Sequence, residues 1–270
     1  MRSNSAFVRS PRDSETGRTI MPTDDLLGRL KLNHYPRSLG YDPRWVVENQ
    51  MGPNPLWLME ALTNTLTLNA GDRVLDLGAG TALTSIFLAK EFEVSVIAAD
   101  LWVSPTENQR RVREAGVEAL VLPLQLDSHD LRFGDETFDA ILSVDAYHYF
   151  GTDDLYLSSC VRLLRPGGRI GIVVPGLVTE LEELPPHLRP YWDPACWSFH
   201  SPQWWRQHWE RSGRVEVERA DLAPEGWTEW LLWLEVCQEL GAETDEAEIR
   251  MVREDAGRNL GFSRAVARKI

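Results

Sequence analysis

The chain has 270 residues, 43% hydrophobic and 26% charged, the balance of a soluble globular protein with a sizeable core. Lysine and arginine total 28 against 41 acidic residues, and the formal charge of −13 argues against a nucleic-acid substrate, whose binding needs a basic surface. No apolar run approaches the roughly 20 residues that span a bilayer, so no membrane insertion is expected.

The polar stretch 1–25 has no apolar core of signal-peptide length; it is expected to be disordered and the protein cytoplasmic, with Met21 as a second candidate start. Residues 26–270 read as one domain. "ENQMGPNPLWLMEAL" (48–62) reads as a turn opening a helix, with Asn49 and Gly52 placed to touch a ligand from above. From Val74, short runs rich in Val, Ile and Leu alternate with helix-length segments. The strands are expected at 73–77, 94–100, 119–127, 138–145 and 168–176, buried on both faces. Pro166 and the glycines of "RPGG" stop the helix before the fifth strand. Strands at 215–222 and 262–270, with two helices between them, complete an α/β fold: a Rossmann-like, doubly wound, mostly parallel sheet of seven strands with an antiparallel last strand and helical cap insertions. The cofactor-binding core is expected over 66–176, and a substrate cap from 26–60, 177–210 and 224–260.

In "VLDLGAGTALTS" (74–85), Gly78 and Gly80 match the start of a dinucleotide turn, but the third glycine is replaced by Leu83. Asp76, just ahead of the turn, is a poor neighbour for a diphosphate and a good one for an ammonium. Asp100 closes the second strand, where a carboxylate can grip a ribose diol. A close-approach turn, an acid for an ammonium and an acid for a ribose together describe S-adenosyl-L-methionine.

"VLDLGAGTALTS", "VIAADLW", "LQLDSHDLRFGDETFDAILSVDAYHYF" and "LLRPGGRIGIVVPG" resemble, in order and spacing, the motifs of class I S-adenosylmethionine-dependent methyltransferases. The resemblance covers residues 70–176 and reaches the small-molecule members of methyltransferase type 11 and the cyclopropane-synthase-like enzymes. It implies that Asp76, Gly78, Ala79 and Gly80 line the methionine part of the cofactor and that Asp100 holds the ribose. It also implies Leu101, with Trp102, against the adenine, Asp127 and Ser128 at the adenine edge, and Ser143 and Val144 facing the sulfonium.

Methyl transfer needs alignment, water exclusion and a place for the acceptor's proton. His148 in "DAYHYF" (145–150) is the first candidate base, against the alternative that it only bonds the loop backbone. Tyr147 is a candidate for orienting substrate or for packing, and His200 is a second catalytic candidate. His34, His129, His187 and His208 read as surface residues. Of the eleven tryptophans, Trp192 and Trp197 fall in loop-like sequence and are expected in a pocket, whereas Trp205 and Trp209 share a helix face and are expected in the core. No metal is expected. The expected activity is methyl transfer to nitrogen or oxygen, or to carbon, of a small apolar or aromatic acceptor, with a homo-oligomer left open. Cyclopropane-synthase-like lipid modification, NAD-dependent oxidoreduction and cofactor binding without turnover are the competing readings. His148 stands where the cyclopropane synthases carry glutamate, and Leu83 and Asp76 disfavour NAD.

Overall fold

A computed structural model of the protein describes residues 23–270. Most of the expected disordered segment, Met21 included, lies outside the described residues. Thr23–Asp25, taken into that segment on composition, instead begin helix α1 (Thr23–Arg29), which buries Leu26 and Leu27. Helices α2 (Pro43–Glu48) and α3 (Pro55–Thr63) follow, each opening on a proline preceded by a capping side chain. Asp42 accepts from the amide of Arg44, and Asn54 from those of Leu56 and Trp57.

The alternation that follows is β1 (Arg73–Leu77), α4 (Leu83–Phe92), β2 (Ser95–Asp100), α5 (Pro105–Glu114), β3 (Val121–Gln125) and β4 (Phe138–Val144). A single 3₁₀ turn (Tyr147–Tyr149) and helix α6 (Tyr156–Val161) lead into β5 (Leu164–Leu177). Then come α7 (Pro202–Glu210), β6 (Val215–Leu222), α8 (Gly226–Glu239), α9 (Glu246–Asp255) and β7 (Leu260–Lys269). The seven strands form one sheet in the order β3-β2-β1-β4-β5-β7-β6. β1 to β5 pair in parallel, and β7 runs antiparallel between β5 and β6. The expected architecture therefore holds, with the last strand inserted beside β5 and β6 at the edge.

One boundary differs. β5 begins at Leu164, four residues before the expected start, because Leu164 pairs with Phe138 ahead of an irregularity that resumes at Arg169 opposite Ala140. "RPGG" is thus a bulged strand entry, and Gly168 is forced there: a Cβ would lie 2.9 Å from the carbonyls of Arg165 and Asp139.

Two apolar layers cover the sheet. One joins α1 to α4, α8 and α9. The other joins α6 and α7, with Trp205 and Trp209 fully buried as their shared helix face predicts. The strand order reverses between β1 and β4, and the crevice outside their carboxyl ends is where ligands bind in such sheets.

Candidate active site

A cavity of about 530 Å³ opens at that crevice, within the usual size of a ligand pocket. Its floor is the turn after β1. Gly78 (φ +78°) and Gly80 (φ +51°) are both left-handed, a conformation that glycine reaches without a Cβ penalty. The turn spends its amides inside the protein. Gly78 and Ala79 donate to the carbonyl of Ala99 at 2.8 and 3.0 Å, and Gly80 donates to the Asp100 carboxylate at 2.8 Å. Little donor capacity is left for a diphosphate. The other Asp100 oxygen accepts from the amides of Trp102 and Val103, at 2.8 and 2.9 Å, so this carboxylate is fixed at the cavity wall before any ligand arrives.

The far side of the turn is pinned by a network that begins on α5. Buried Asn108 donates to the carbonyl of Gly80 at 2.8 Å, and Arg111 bonds both Asn108 and Asn49. Asn49 is therefore a tie between α2 and α5 and does not line the cavity, while its expected companion Gly52 does.

Of the expected cofactor residues, Gly78, Ala79, Gly80, Asp100, Leu101, Asp127, Ser128 and Val144 line this one cavity. Asp127 is held by the amide and ring nitrogen of His129, which keep its carboxyl below the usual range. His129, read from the sequence as a surface residue, also lines the cavity. Asp76 and Ser143 do not. Asp76 is buried beneath the turn, accepting from the hydroxyls of Thr84 and Ser85, both at 2.6 Å, while Oδ1 has no partner. Burial pushes its carboxyl up to about 6 against those two hydrogen bonds. Ser143 is equally buried and donates to the carbonyl of Leu77 at 2.6 Å, tying β4 to β1.

The three catalytic candidates stand elsewhere. Tyr147 is fully buried among Phe150, Tyr156, Trp205 and Trp209, with its hydroxyl unpartnered; it is a core residue, because the chain turns after β4 and sends this ring under the sheet edge. His148 is buried against Tyr149 and Phe199 and has an unpartnered Nδ1. Burial pushes its imidazole down to about 3, and it does not line the cavity. The His200 ring stacks on Trp204 at 3.6 Å and bonds Glu180 at 3.0 Å, also away from the cavity. Trp192 and Trp197 pack edge to face at 5.7 Å and leave the cavity wall to other aromatics.

Those others are Trp102, Tyr149 and Phe150, with Met51 and Leu101. Trp102 is 73% exposed and Tyr149 57%, an exposed apolar rim rather than a packed core. The remaining addition is Asp145. It follows β4 at φ +53°, lines the cavity, and carries a carboxyl that burial, with the charge of Glu248 behind it, holds well above the usual range. Its place one residue beyond the fourth strand was visible in the sequence.

The cavity's charge is one-sided. Three aspartates line it, Asp100, Asp127 and Asp145, with no lysine or arginine. Among the described residues, no group of three or more His, Cys, Asp or Glu is arranged to hold a metal, and no helix is long and apolar enough to cross a membrane. The three cysteines are free and buried.

Residues 74–168 match the protein family described as a methyltransferase domain. The chain is 32% identical over 43% of its length to the methyltransferase GfsG of Streptomyces halstedii, and 36% identical over 45% to the demethylmenaquinone methyltransferase of Clavibacter sepedonicus. These matches span 42% and 48% of the two relatives, less than half of either. In fold, it is similar to a putative sarcosine dimethylglycine methyltransferase from Galdieria sulphuraria, with a TM-score of 0.64 at 19% identity, covering 88% of this chain and 92% of that one. Residues 74–168 thus carry the match to a methyltransferase domain, and the seven-stranded sheet around them has the fold of that solved neighbour.

Proposed function

We propose that the protein binds S-adenosylmethionine in this cavity and transfers its methyl group to nitrogen or oxygen, or to carbon, of a small acceptor with an apolar or aromatic body. The observation that carries this reading is the cavity's composition: a left-handed glycine turn with its amides spent, three aspartates and no lysine or arginine. A diphosphate would meet three aspartates there and no lysine or arginine, which weighs against NAD. A cationic sulfonium cofactor gains from the same field.

Asp100, preset by three backbone amides, would hold the ribose hydroxyls. Leu101 and Trp102 would lie against the adenine, with Asp127 and Ser128 at its edge. Gly78, Ala79 and Gly80 would leave room for the methionine portion, since a Cβ on Gly80 would come within 3.2 Å of the Met51 sulfur. The bound cofactor supplies a methyl group on a sulfonium, already electrophilic. The chain's task is then to align the acceptor in line with it, exclude water and receive a proton. Residues 66–176 would form the cofactor core, and the cap from 26–60, 177–210 and 224–260 would shape access for the acceptor. Met51, Tyr149 and Trp102 give that access an apolar border, which suits a metabolite better than a polar polymer.

The test is calorimetric titration of the full chain with S-adenosylmethionine and, in parallel, NAD, using Asp100→Ala as the control. Micromolar binding of the first alone, weakened at least tenfold in the variant, is the expected outcome. A preference for NAD, or unchanged affinity in the variant, refutes the reading. S-adenosylhomocysteine release with small amines and phenols then identifies the acceptor atom.

A further inference from the structure

Three carboxylates line the cavity, and two of them are already engaged: Asp100 by three backbone amides and Asp127 by His129. The third is different. Among the described residues, the Asp145 carboxylate accepts no hydrogen bond and forms no ion pair. A half-buried carboxylate at a cavity wall with no protein partner is costly to ionise, and a positive group from outside offsets that cost. No lysine or arginine lines the cavity to supply that group, and His129 is engaged with Asp127.

The surroundings of Asp145 indicate which ligand does. Its left-handed backbone follows directly on β4 and turns the side chain toward the cap. A Cβ on Gly52, in the turn between α2 and α3, would come within 2.4 Å of Oδ2, so this turn closes over the carboxylate. That turn is in its own right anchored to the cap, because the Trp233 indole of α8 donates to the Gly52 carbonyl at 2.9 Å. Glu248 of α9, bonded at 2.8 Å by the Trp230 indole, adds a second negative charge from the same side. Tyr149, which feels the Asp145 charge, and Phe150 line the same cavity.

Resting on the methyltransferase reading, we infer that the acceptor is a cationic amine and that Asp145, with Tyr149 beside it, is the residue that holds it. Carboxylate and aromatic faces are the two groups that recognise an ammonium in a desolvated site. The chemistry balances with no further reactant. The ammonium passes one proton to Asp145, which frees the nitrogen lone pair. The N–C bond then forms as the S–C bond breaks, the electron pair stays on sulfur and the positive charge moves to nitrogen. A carboxyl whose burial favours its neutral form is suited to keeping that proton.

The experiment uses a charged probe and its neutral isostere, choline and 3,3-dimethylbutan-1-ol, titrated into the full chain with and without saturating S-adenosylhomocysteine. Choline is expected to bind at least tenfold more tightly than the alcohol. Asp145→Asn, which keeps the shape and removes the charge, is expected to abolish that preference while leaving S-adenosylhomocysteine affinity within about threefold. Asp145→Ser repeats the test should the asparagine variant misfold. Equal affinity for the two probes, no detectable binding of choline, or a preference that survives in both variants overturns the inference. So does loss of S-adenosylhomocysteine binding in a folded variant, which would put Asp145 on the cofactor's own ammonium. Failure of wild-type protein to bind S-adenosylhomocysteine strikes the methyltransferase reading instead, since choline is titrated separately in its absence.

Discussion

Asp76→Asn should change how stability depends on pH, and the size of the change follows from the burial of one carboxyl. In the folded protein Asp76 titrates near 6, raised from an unfolded value of 3.8 chiefly by burial. A carboxyl raised in this way binds its proton more tightly when folded. Its contribution is therefore complete below the unfolded value and disappears as pH rises through about 6. Between pH 4 and pH 7.5, Asp76 alone should remove about 2.5 kcal/mol from wild-type stability. The wild-type curve cannot be read directly, because His148 acts the other way: its imidazole is pushed down to about 3, so stability is lost as pH falls below its unfolded value near 6.5. The comparison with Asp76→Asn removes that contribution, which both proteins share. It also removes the pH-independent cost of placing an amide where Thr84 and Ser85 donate. Urea unfolding of both proteins at pH 4 and pH 7.5, followed by tryptophan fluorescence, measures the difference. The gap between variant and wild type should move by about 2.5 kcal/mol in the variant's favour at the higher pH. A gap that moves by less than about 0.5 kcal/mol would mean that Asp76 is already ionised at pH 4, and the account of a buried, half-satisfied carboxyl would be wrong.

Gly78→Ala should destabilise by about 2–4 kcal/mol, because it combines a left-handed φ with a Cβ 2.3 Å from that of Ala146. Adding Ala146→Gly should recover the steric part in a thermal unfolding series, leaving the backbone cost. Tyr147→Phe removes a buried hydroxyl that has no partner and should be neutral or stabilising by about 1 kcal/mol, with kcat unchanged; a loss of turnover in the folded variant would restore the catalytic role. Asn108→Ala should cost about 1–3 kcal/mol and weaken S-adenosylmethionine several-fold, since the Gly80 carbonyl and Arg111 both lose a partner; calorimetry and urea unfolding of the same preparation check the two effects together.

The sheet was legible because its strands are short Val-, Ile- and Leu-rich runs between helices, and six of the seven fall where that pattern puts them to within two residues. The glycine-turn side of the cavity was legible for a related reason. Glycine at positive φ and a carboxylate at a strand end are local facts, and Gly78, Gly80 and Asp100 carry them into the cavity unchanged. Direction was what the sequence concealed. Strand alternation cannot be followed past Asp145, since its left-handed backbone reverses the chain and the 3₁₀ turn replaces a period of two with a period of three. Tyr147 and His148, which the quoted motif offers as site residues, are thereby turned into the protein, and Tyr149 and Phe150 reach the cavity. Asp76 and Ser143 show the same limit within regular strands. Both are near the site in sequence, but their oxygens bond Thr84, Ser85 and Leu77 one layer below it.

The two halves of the site meet at Gly78. Its missing side chain is taken up by the Ala146 methyl from the turn after β4, with no ligand involved. The first glycine of the motif therefore reports an approach between two segments of protein, whereas the second, Gly80, faces the Met51 sulfur across ligand space. That contact has a consequence for catalysis. Asp145 immediately precedes Ala146, so on the proposed reading the distance between the glycine turn and the Asp145 carboxylate is set by a methyl group packed against a glycine Cα. In-line transfer tolerates little error in the separation of donor and acceptor, and a displacement near 1 Å can cost about a hundredfold in rate. A rigid contact between the two turns, rather than a hydrogen bond that could lengthen, is a physically suitable way to hold that separation.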